Sequence, residues 1–472
     1  MSEPLWTSGE IALAVGGAVE GSAFAATGVS IDTRTIEPGD LFVALAGARD
    51  GHDFIDGALA SGAAGSLASR SGAGPRVLVR DVQAGLEAMA LHARDRSGAR
   101  RGAVTGSVGK TSVTQAVRAG LALAGRAHGS VKSYNNQIGV PLTLARMPRA
   151  TERAVFEIGM NHAGEIEPLS RMVAPHVVCV TTVGPVHTEN FADGERGVAL
   201  AKAEIFAGLQ PGGIAVLNAD NAWYGLLREA ALKAGAVVRS FGSTEACDAR
   251  LLDFSAHDTG AVVRARLNGR ALDIPLLQRG AHWGPNSLAV LLILEAMGVS
   301  LDDGLAALAT FEPLEGRGSE QTVRAPAGAF VLIDESYNAN PISMRAALAT
   351  LGGRAAMGRR IAVLTDMLEL GPQAALYHAE IADVLERNGI DLVFCAGPLM
   401  KNLWDGLPPT RRGGYAETAA QLAPRVVQAV GPGDVVMVKG SNGSKASIVA
   451  QALAALAAGA DSSASVRVGS GG

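Results

Sequence analysis

Short runs of β-branched and aliphatic residues recur along the chain, separated by longer segments with helical spacing. In the middle of the chain these runs fall at 103–105, 154–156, 177–180 and 214–217, and a later series falls at 330–333, 361–364, 392–394 and 435–438. Apolar runs of this length between helical segments predict parallel strands covered by helices. The sequence therefore predicts an α/β protein with two doubly wound sheets.

The N-terminal part adds a third α/β region. It contains strand-like runs at 40–45 and 76–79, and Asp81 precedes a segment with apolar residues at helical spacing. That helix is expected to end at Ser97-Gly98. Between residues 249 and 277 the pattern changes to alternating strands around Asn268-Gly269, which predicts a hairpin and an antiparallel edge on the central domain.

The length of 472 residues agrees with three domains. We place them at 1–98, 99–318 and 319–458, and we expect the small, polar residues 459–472 to form a disordered tail. No internal repeat of fixed period is evident.

Composition argues against several classes of partner. The net charge of −4 and the pI near 6.2 give no electrostatic footprint for nucleic acid or anionic lipid. The three cysteines lie far apart and form no CxxC pair, so neither a disulfide framework nor a zinc site is indicated. No apolar run reaches the roughly 18 residues of a membrane span. We expect a cytoplasmic, monomeric protein that acts on small molecules without a membrane or nucleic-acid partner.

A glycine-rich segment between a strand and a helix carries the first chemical signal. Glycines at 106 and 109 allow a tight turn that aims backbone N–H groups at phosphate oxygens. Lys110 would contact the β and γ phosphates, and the Thr111 hydroxyl would ligate Mg²⁺. The expected nucleotide-binding residues of this loop are Gly106, Ser107, Val108, Gly109, Lys110, Thr111 and Ser112. The alternative is a plain glycine turn, although only seven of the 41 basic residues are lysines.

The loop differs from the common phosphate-binding pattern because Val104 stands where a glycine is usual. In this respect T-G-S-V-G-K-T resembles the loop of the Mur ligases, the ATP-dependent amide-forming enzymes of peptidoglycan precursor synthesis. The similarity covers about 29–441. It implies an N-terminal domain that binds the UDP part of the precursor, a central ATP-binding domain and a C-terminal Rossmann-like domain.

The resemblance implies a set of metal ligands. Glu157 ends a strand and would bind Mg²⁺ together with Thr111, and His187 follows another strand and would serve a second metal or the substrate. Lys202 matches the position at which these ligases carry a lysine carbamylated by CO₂, which turns a cation into an oxygen ligand suited to Mg²⁺. From the residues alone, Glu157 could equally cap or form a salt bridge, His187 could be structural, and Lys202 could be a solvated helix lysine.

Further segments resemble the family's contacts to ATP. His282 and Asn286 would contact adenine, although Trp283 replaces an asparagine of the family pattern. Arg317 would neutralise the γ-phosphate as it transfers. Asp334, Tyr337 and Asn338, in the string D-E-S-Y-N-A-N-P, would face the nucleotide. Each segment also has a purely structural interpretation. The segment at 282–286 could be a helix start with a half-buried tryptophan, Arg317 a surface arginine, and the segment at 334–338 an Asx turn.

Substrate contacts are implied at both ends of the chain. In the N-terminal domain Ser30, Thr33 and Arg34 would bind uracil or pyrophosphate through hydroxyl and guanidinium donors, or else simply cap a loop. The segment 365–371 with His378 would shape the pocket of the second substrate or cap a helix. Lys439-Gly440-Ser441 matches the family, whereas the following Asn442 and residues 443–446 depart from its pattern.

The string around Tyr337-Asn338 resembles the corresponding segment in the branch of the family that adds a dipeptide. It implies a ligase that joins D-Ala-D-Ala to UDP-N-acetylmuramoyl-tripeptide through an acyl phosphate, with release of ADP and phosphate. Two alternatives stay open: a sister or folylpolyglutamate-type ligase that adds a single amino acid, and a nucleotide switch that forms no bond.

Overall fold

The computed structural model describes residues 3–131 and 133–457, so the predicted tail at 459–472 lies outside the described residues. The strands are β1 (Trp6–Thr7), β2 (Ala18–Glu20), β3 (Ala25–Ala26), β4 (Gly28–Ser30), β5 (Asp40–Val43), β6 (Gly65–Ala68), β7 (Arg76–Leu78), β8 (Arg100–Thr105), β9 (Ala127–Gly129), β10 (Arg153–Glu157), β11 (Val177–Val180), β12 (Ile214–Asn218), β13 (Val237–Gly242), β14 (Ala249–His257), β15 (Gly260–Leu267), β16 (Arg270–Leu276), β17 (Ser319–Ala325), β18 (Gly328–Glu335), β19 (Arg360–Thr365), β20 (Leu392–Ala396), β21 (Arg412–Ala416) and β22 (Val435–Lys439).

The helices are α1 (Ser8–Val15), α2 (Ile55–Ala60), α3 (Val82–Asp95), α4 (Lys110–Leu123), α5 (Gly139–Ala145), α6 (Ile166–Val173), α7 (Glu195–Ala203), α8 (Tyr224–Lys233), α9 (Trp283–Ala296), α10 (Leu301–Thr310), α11 (Pro341–Gly352), α12 (Ala374–Ala379), α13 (Ile381–Arg387), α14 (Lys401–Gly406), α15 (Ala419–Ala429) and α16 (Ser447–Ala454). No helix in the described part of the chain is long and apolar enough to cross a membrane.

The chain divides into two compact units. The first contains Met1–Thr181, Leu200–Phe241 and Ala289–Ala307, and the second contains Thr182–Ala199, Gly242–Leu288 and Leu308–Gly472.

The first unit begins with a sheet of strand order β2-β7-β6-β5-β4, in which β4 to β7 are parallel and β2 is antiparallel to β7. The predicted helix after Asp81 is confirmed as α3, whose first turn is capped by the Asp81 carboxylate accepting from the Ala84 N–H. Leu86 and Met89 of α3 are buried against Leu41 and Leu67 of the sheet. The carboxyl ends of β4, β5 and β6 lie at one edge because these strands are parallel and adjacent.

The second sheet of the first unit is parallel, in the order β13-β12-β11-β8-β10-β9. It contains all four strands predicted for the middle of the chain. Its central members β8, β10 and β11 are almost wholly buried, as their continuous apolar runs predict for strands covered on both faces. β8 leads through the glycine-rich loop into α4, and β10 ends at Glu157 on the same edge of the sheet.

The second unit contains the predicted hairpin. β14, β15 and β16 form an antiparallel meander, with Leu267 opposite Arg270 across the turn. Asn268 and Gly269 both have positive φ, 49° and 84°, as a two-residue turn of this kind requires.

The remaining sheet of the second unit has the order β17-β18-β22-β19-β20-β21 and is parallel except for β17. The four predicted strands form its centre. β17 is an antiparallel edge strand that the sequence analysis missed, because only Val323 of its seven residues is buried and the strand lacks an apolar run. Glu335 and Lys439, at the ends of the neighbours β18 and β22, are paired in register.

Candidate functional site

The glycine-rich loop before α4 is held in a conformation that requires its glycines. Gly106 has φ of 152° and Gly109 has φ of 88°. A Cβ at Gly106 would lie 1.9 Å from Thr181 Oγ1, so no larger residue fits without a shift. The Thr181 hydroxyl donates to the carbonyl of Val108 at 2.5 Å and thereby ties the loop to the end of β11.

The helix that follows the loop gives this site a positive character. α4 runs for 14 residues from Lys110, so the backbone N–H groups of its first turn are directed towards the loop. Lys110 Nζ donates to the carbonyl of Gly106 at 2.6 Å. Ser107 is buried and Ser112 is half-buried. A loop, a helix N-terminus and a lysine arranged in this way suit an anion such as a polyphosphate.

Glu157 ends β10 as a buried carboxylate with one unsatisfied oxygen. The residue is 1% exposed, and Oε1 accepts from Asn135 Nδ2 at 2.7 Å. Oε2 is buried and has no hydrogen-bond partner. The structure shows no ion pair between Glu157 and any described residue, which excludes the salt-bridge alternative there. A buried carboxylate oxygen without a partner is costly unless a cation binds it, so Glu157 fits a Mg²⁺ ligand.

The segment 133–135 connects Glu157 with Thr111. Asn135 contacts Glu157, while the hydroxyl of Ser133 lies 3.1 Å from that of Thr111. The two predicted metal ligands therefore share one short polar segment at the same sheet edge. Mg²⁺ prefers oxygen ligands of these types.

Lys202, near the end of α7, is not the solvated lysine that its helix position alone would suggest. It is 3% exposed, and the structure shows no hydrogen bond or ion pair between its amine and any described residue. Burial, assisted by the nearby charge of Lys110, lowers the pKa of Lys202 well below its usual value. The side chain is therefore a neutral amine under conditions in which an ordinary lysine is charged.

Within the described part of the chain, no group of three or more His, Cys, Asp or Glu side chains forms a ready metal cluster. A metal at the loop would therefore need ligands of other kinds, such as the Thr111 hydroxyl, phosphate oxygens or a modified Lys202.

In the second unit, Arg317 is fastened to the segment after β18. Its guanidinium carbon lies 4.0 Å from the centre of the Tyr337 ring, a cation–π distance. The Tyr337 N–H donates to the carbonyl of Gly316, and the Gly318 N–H donates to that of Asp334. The structure thus brings together three of the predicted nucleotide contacts: Arg317, Asp334 and Tyr337.

The fourth, Asn338, lies in the same turn. Lys439, which is 2% exposed, donates from Nζ to Glu335 Oε2 and to the carbonyl of Asn338, both at 3.1 Å. Asp334 accepts a hydrogen bond from the Ser336 N–H at 2.9 Å, so the Asx turn of the structural interpretation is also present. Such a turn leaves the second carboxylate oxygen available for a ligand.

His187 occupies a strained position beside an acid. Its backbone φ is 58°, and Nδ1 lies 2.6 Å from Oε2 of Glu369, whose own φ is 63°. Left-handed conformations at two non-glycine residues cost energy and often occur at functional sites.

The predicted adenine contacts lie at the start of α9. The His282 side chain is exposed, whereas Asn286 is buried. Trp283, which departs from the family pattern, is buried, and its ring centre lies 5.6 Å from that of Phe311. Trp283 therefore packs in the core, which explains how the position tolerates an aromatic residue.

The remaining sequence candidates have structural partners. Ser30 Oγ bonds the backbone of Asp32, Thr33 is half-buried, and the exposed Arg34 pairs with Asp32 at 2.5 Å. Hydrogen bonds from Arg34 lower the pKa of Asp32 to about 2. His378 is buried and accepts the Met367 N–H at 2.9 Å, so it supports the 365–371 segment from behind.

The sequence did not predict five residues that contact these sites: Ser133, Asn135, Thr181, Glu335 and Glu369. A signal for the first two was the polar string at 133–137, because polar residues between a strand and a helix often lie at a ligand-binding edge. The sequence carries no comparable signal for the other three, since their contacts depend on the order of strands in the sheet.

Comparison with known proteins agrees with the geometry. Three family profiles match: the Mur ligase middle domain at 104–294, the Mur ligase glutamate ligase domain at 321–442 and the Mur ligase family catalytic domain at 11–96. An Escherichia coli K12 protein named UDP-N-acetylmuramoyl-tripeptide–D-alanyl-D-alanine ligase is 35% identical over 81% of this chain and 83% of its own. The chain belongs to the Mur ligase family. It is accordingly an ATP-dependent ligase that forms amide bonds.

Other relatives extend the similarity over nearly the whole chain. The Bacillus subtilis 168 protein of the same name is 32% identical over 89% of this chain and 91% of its own. A crystal structure of MurF from Acinetobacter baumannii has a TM-score of 0.83 at 26% identity and covers 96% of this chain and 99% of its own. The predicted Mur ligase resemblance and α/β fold class are thereby confirmed.

Proposed function

We propose that this chain joins D-Ala-D-Ala to UDP-N-acetylmuramoyl-tripeptide and so makes the pentapeptide precursor of peptidoglycan. The observation that carries the proposal is the 35% identity to an enzyme of that name over most of both chains. The terminal carboxylate of the tripeptide attacks the γ-phosphorus of ATP, which gives an acyl phosphate and ADP. The amine of the dipeptide then attacks the acyl carbon, and phosphate leaves.

The phosphate-binding residues are the loop Gly106, Ser107, Val108, Gly109, Lys110, Thr111 and Ser112. In this proposal the backbone N–H groups of the loop and α4 bind phosphate oxygens, and Lys110 exchanges its bond to the Gly106 carbonyl for a phosphate. Arg317, held against the ring of Tyr337, offsets the charge of the transferring phosphoryl group. His282, Asn286, Asp334, Tyr337 and Asn338 complete the nucleotide contacts.

Magnesium would be held by Thr111, Glu157, His187 and Lys202. When bound, it supplies charge neutralisation and Lewis acidity to the phosphates. The unpartnered oxygen of Glu157 supports this assignment. His187 Nδ1 lies 2.6 Å from Glu369 Oε2, and a carboxylate beside the ring is a common neighbour of a metal-binding histidine.

Lys202 is proposed to be carbamylated by CO₂. The reaction needs a neutral amine, and burial favours this form because it lowers the pKa of Lys202 well below its usual value. The amine nitrogen bonds to the carbon of CO₂ and loses one proton, so a buried, unpaired amine becomes an anionic oxygen ligand. The positive charge of the nearby Lys110, which disfavours a charged amine at Lys202, would attract the negative carbamate.

The N-terminal region is proposed to hold the UDP part of the precursor, with Ser30, Thr33 and Arg34 as contacts. Ser30 ends β4, and Thr33 and Arg34 follow it, at the carboxyl edge of the sheet, where ligands of α/β proteins usually bind. The proposed domain limits are 1–98, 99–318 and 319–458. A monomer in the cytoplasm is sufficient for this activity.

The test is phosphate release from ATP in the presence of UDP-N-acetylmuramoyl-tripeptide, with and without D-Ala-D-Ala, together with mass detection of the product. We expect release to require both substrates and to yield the pentapeptide. Lys110→Ala should abolish ligation, and Lys233→Ala, an exposed lysine of α8, serves as the matched control. Turnover with single amino acids in place of the dipeptide would contradict the substrate, and release without any amine would contradict the reaction.

A further inference from the structure

Asp50, His52 and Ser69 form a hydrogen-bonded relay that the proposed mechanism does not use. His52 Nδ1 lies 2.7 Å from Asp50 Oδ1, and His52 Nε2 lies 3.1 Å from Ser69 Oγ. Asp50 and His52 belong to the loop after β5, and Ser69 follows β6 directly. The relay therefore lies at the same carboxyl edge of the N-terminal sheet as Ser30, which ends β4.

The backbone fixes the tautomer of His52. The N–H of Ser69 donates to His52 Nε2 at 3.0 Å. A backbone amide can only donate, so Nε2 carries no hydrogen and Nδ1–H donates to Asp50. The hydroxyl of Ser69 must then direct its own hydrogen towards Nε2, because an oxygen lone pair there would face a nitrogen lone pair. The lone pairs of Ser69 Oγ consequently point away from the ring.

The relay is rigid, but its last member is accessible. The His52 side chain is 9% exposed, and Arg70 pairs with Asp50 at 2.7 Å. The Gly51 N–H bonds the Leu45 carbonyl, and a Cβ at Gly51 would lie 2.5 Å from that oxygen, so the loop is tightly folded. Ser69 itself is exposed. The protein thus presents a fixed hydrogen-bond acceptor at a ligand-binding edge.

A nucleophilic role for Ser69 is disfavoured by the same geometry. In hydrolases with a Ser-His-Asp arrangement, the free Nε2 takes the proton of the serine. Here the N–H and the O–H of Ser69 share the single Nε2 lone pair, which makes that lone pair less available to take the hydroxyl proton. The arrangement suits recognition of a ligand better than chemistry.

We propose that Ser69 Oγ accepts a hydrogen bond from the uridine of the nucleotide-sugar substrate, either from the imide N–H of the base or from a ribose hydroxyl. Ser69 is then a binding residue, and His52 and Asp50 are positioning residues. The inference rests on the proposed function. A phosphate is the wrong partner for this atom, since phosphate oxygens are acceptors and Ser69 Oγ offers lone pairs.

The experiment measures UDP binding to the full chain by calorimetry, with ATP affinity as the internal reference for each variant. We expect Ser69→Ala to bind UDP about 2- to 12-fold more weakly, the range for one neutral hydrogen bond. His52→Ala should weaken binding similarly, because it frees the hydroxyl to rotate. Ser71→Ala, an exposed serine of the same loop, is the matched control. Equal UDP affinity in Ser69→Ala and the unmodified protein would overturn the inference.

Analogues identify which donor is recognised. N3-methyl-UDP lacks the imide N–H, and 2′-deoxy-UDP and 3′-deoxy-UDP each lack one hydroxyl. One of them should bind the unmodified protein more weakly and show no further loss with Ser69→Ala, because the same bond has been removed twice. A Ser69→Ala penalty that persists with all three analogues would contradict the inference. No UDP binding by the unmodified protein would contradict the proposed function and, with it, the inference.

Discussion

Lys202 is a buried lysine, whereas the amine of a lysine is ordinarily solvated and charged. Its amine is buried and lies near the charge of Lys110, which together lower its pKa and favour the neutral form that reacts with CO₂. We expect Lys202→Met to abolish ligation, and CO₂-free buffer to reduce the rate until bicarbonate is restored. Carbamylation competes with protonation, so the loss should grow as the pH falls towards the pKa of the amine.

The measurement is the initial rate of phosphate release, with ¹³C NMR of the protein in labelled bicarbonate as an independent readout of the carbamate. Lys233→Met, at an exposed lysine paired with Glu229, is the matched control. A rate that is indifferent to CO₂, together with no carbamate signal, would leave Lys202 as an ordinary buried amine.

A substitution at Glu157 should distinguish an effect on metal binding from an effect on folding. Glu157→Gln keeps the shape and the acceptor for Asn135 but removes the charge from the buried, unpartnered oxygen. We expect the Mg²⁺ concentration for half-maximal rate to rise at least about tenfold, since one charged ligand is lost. Without metal the variant should be no less stable than the unmodified protein, because a buried charge has been removed. An unchanged Mg²⁺ requirement would show that Glu157 does not bind the metal.

At the level of elements, the glycine-rich loop should tolerate no side chain at position 106. A methyl group on Gly106 would meet Thr181 Oγ1 at 1.9 Å and would also be strained at φ of 152°. We expect Gly106→Ala to lose ATP binding by at least about tenfold and to unfold at a lower temperature. Gly225→Ala is the control, because Gly225 is exposed in α8 with open space around it. That change should stabilise the helix by up to about 1 kcal/mol. Normal ATP affinity in Gly106→Ala would contradict the role of the loop.

The sequence predicted the buried elements better than the exposed ones. The runs at 177–180 and 435–438 become strands because continuous apolar residues suit a sheet covered on both faces. β17 was missed because an edge strand with one buried residue carries no such pattern. Similarly, the phosphate loop was predictable because its residues are consecutive. The pairing of Lys439 with Glu335 was not, since it depends on β22 being inserted beside β18.

For the molecule as a whole, bound ligands should raise the midpoint temperature of unfolding by mass action. A single substitution in one binding site should reduce the shift caused by the ligand of that site alone. A ligand at 100 times its dissociation constant stabilises the folded state by about 2.7 kcal/mol. Unfolding of a chain of 472 residues with several sheets need not be two-state, so the shift of the midpoint is the appropriate quantity.

We expect UDP and ATP with Mg²⁺ each to raise the midpoint of the unmodified protein, because the proposed contacts to uridine and to phosphates use different residues. Gly106→Ala should reduce the ATP-dependent shift and keep the UDP-dependent shift, whereas Ser69→Ala should reduce the UDP-dependent shift and keep the ATP-dependent shift. Differential scanning fluorimetry of the two variants with both ligands is sufficient. If either substitution reduced both shifts equally, the effect would be on overall stability and the two proposed binding sites would not be separable. Selective loss requires that each residue act at its own ligand, since a general destabilisation cannot distinguish one nucleotide from the other.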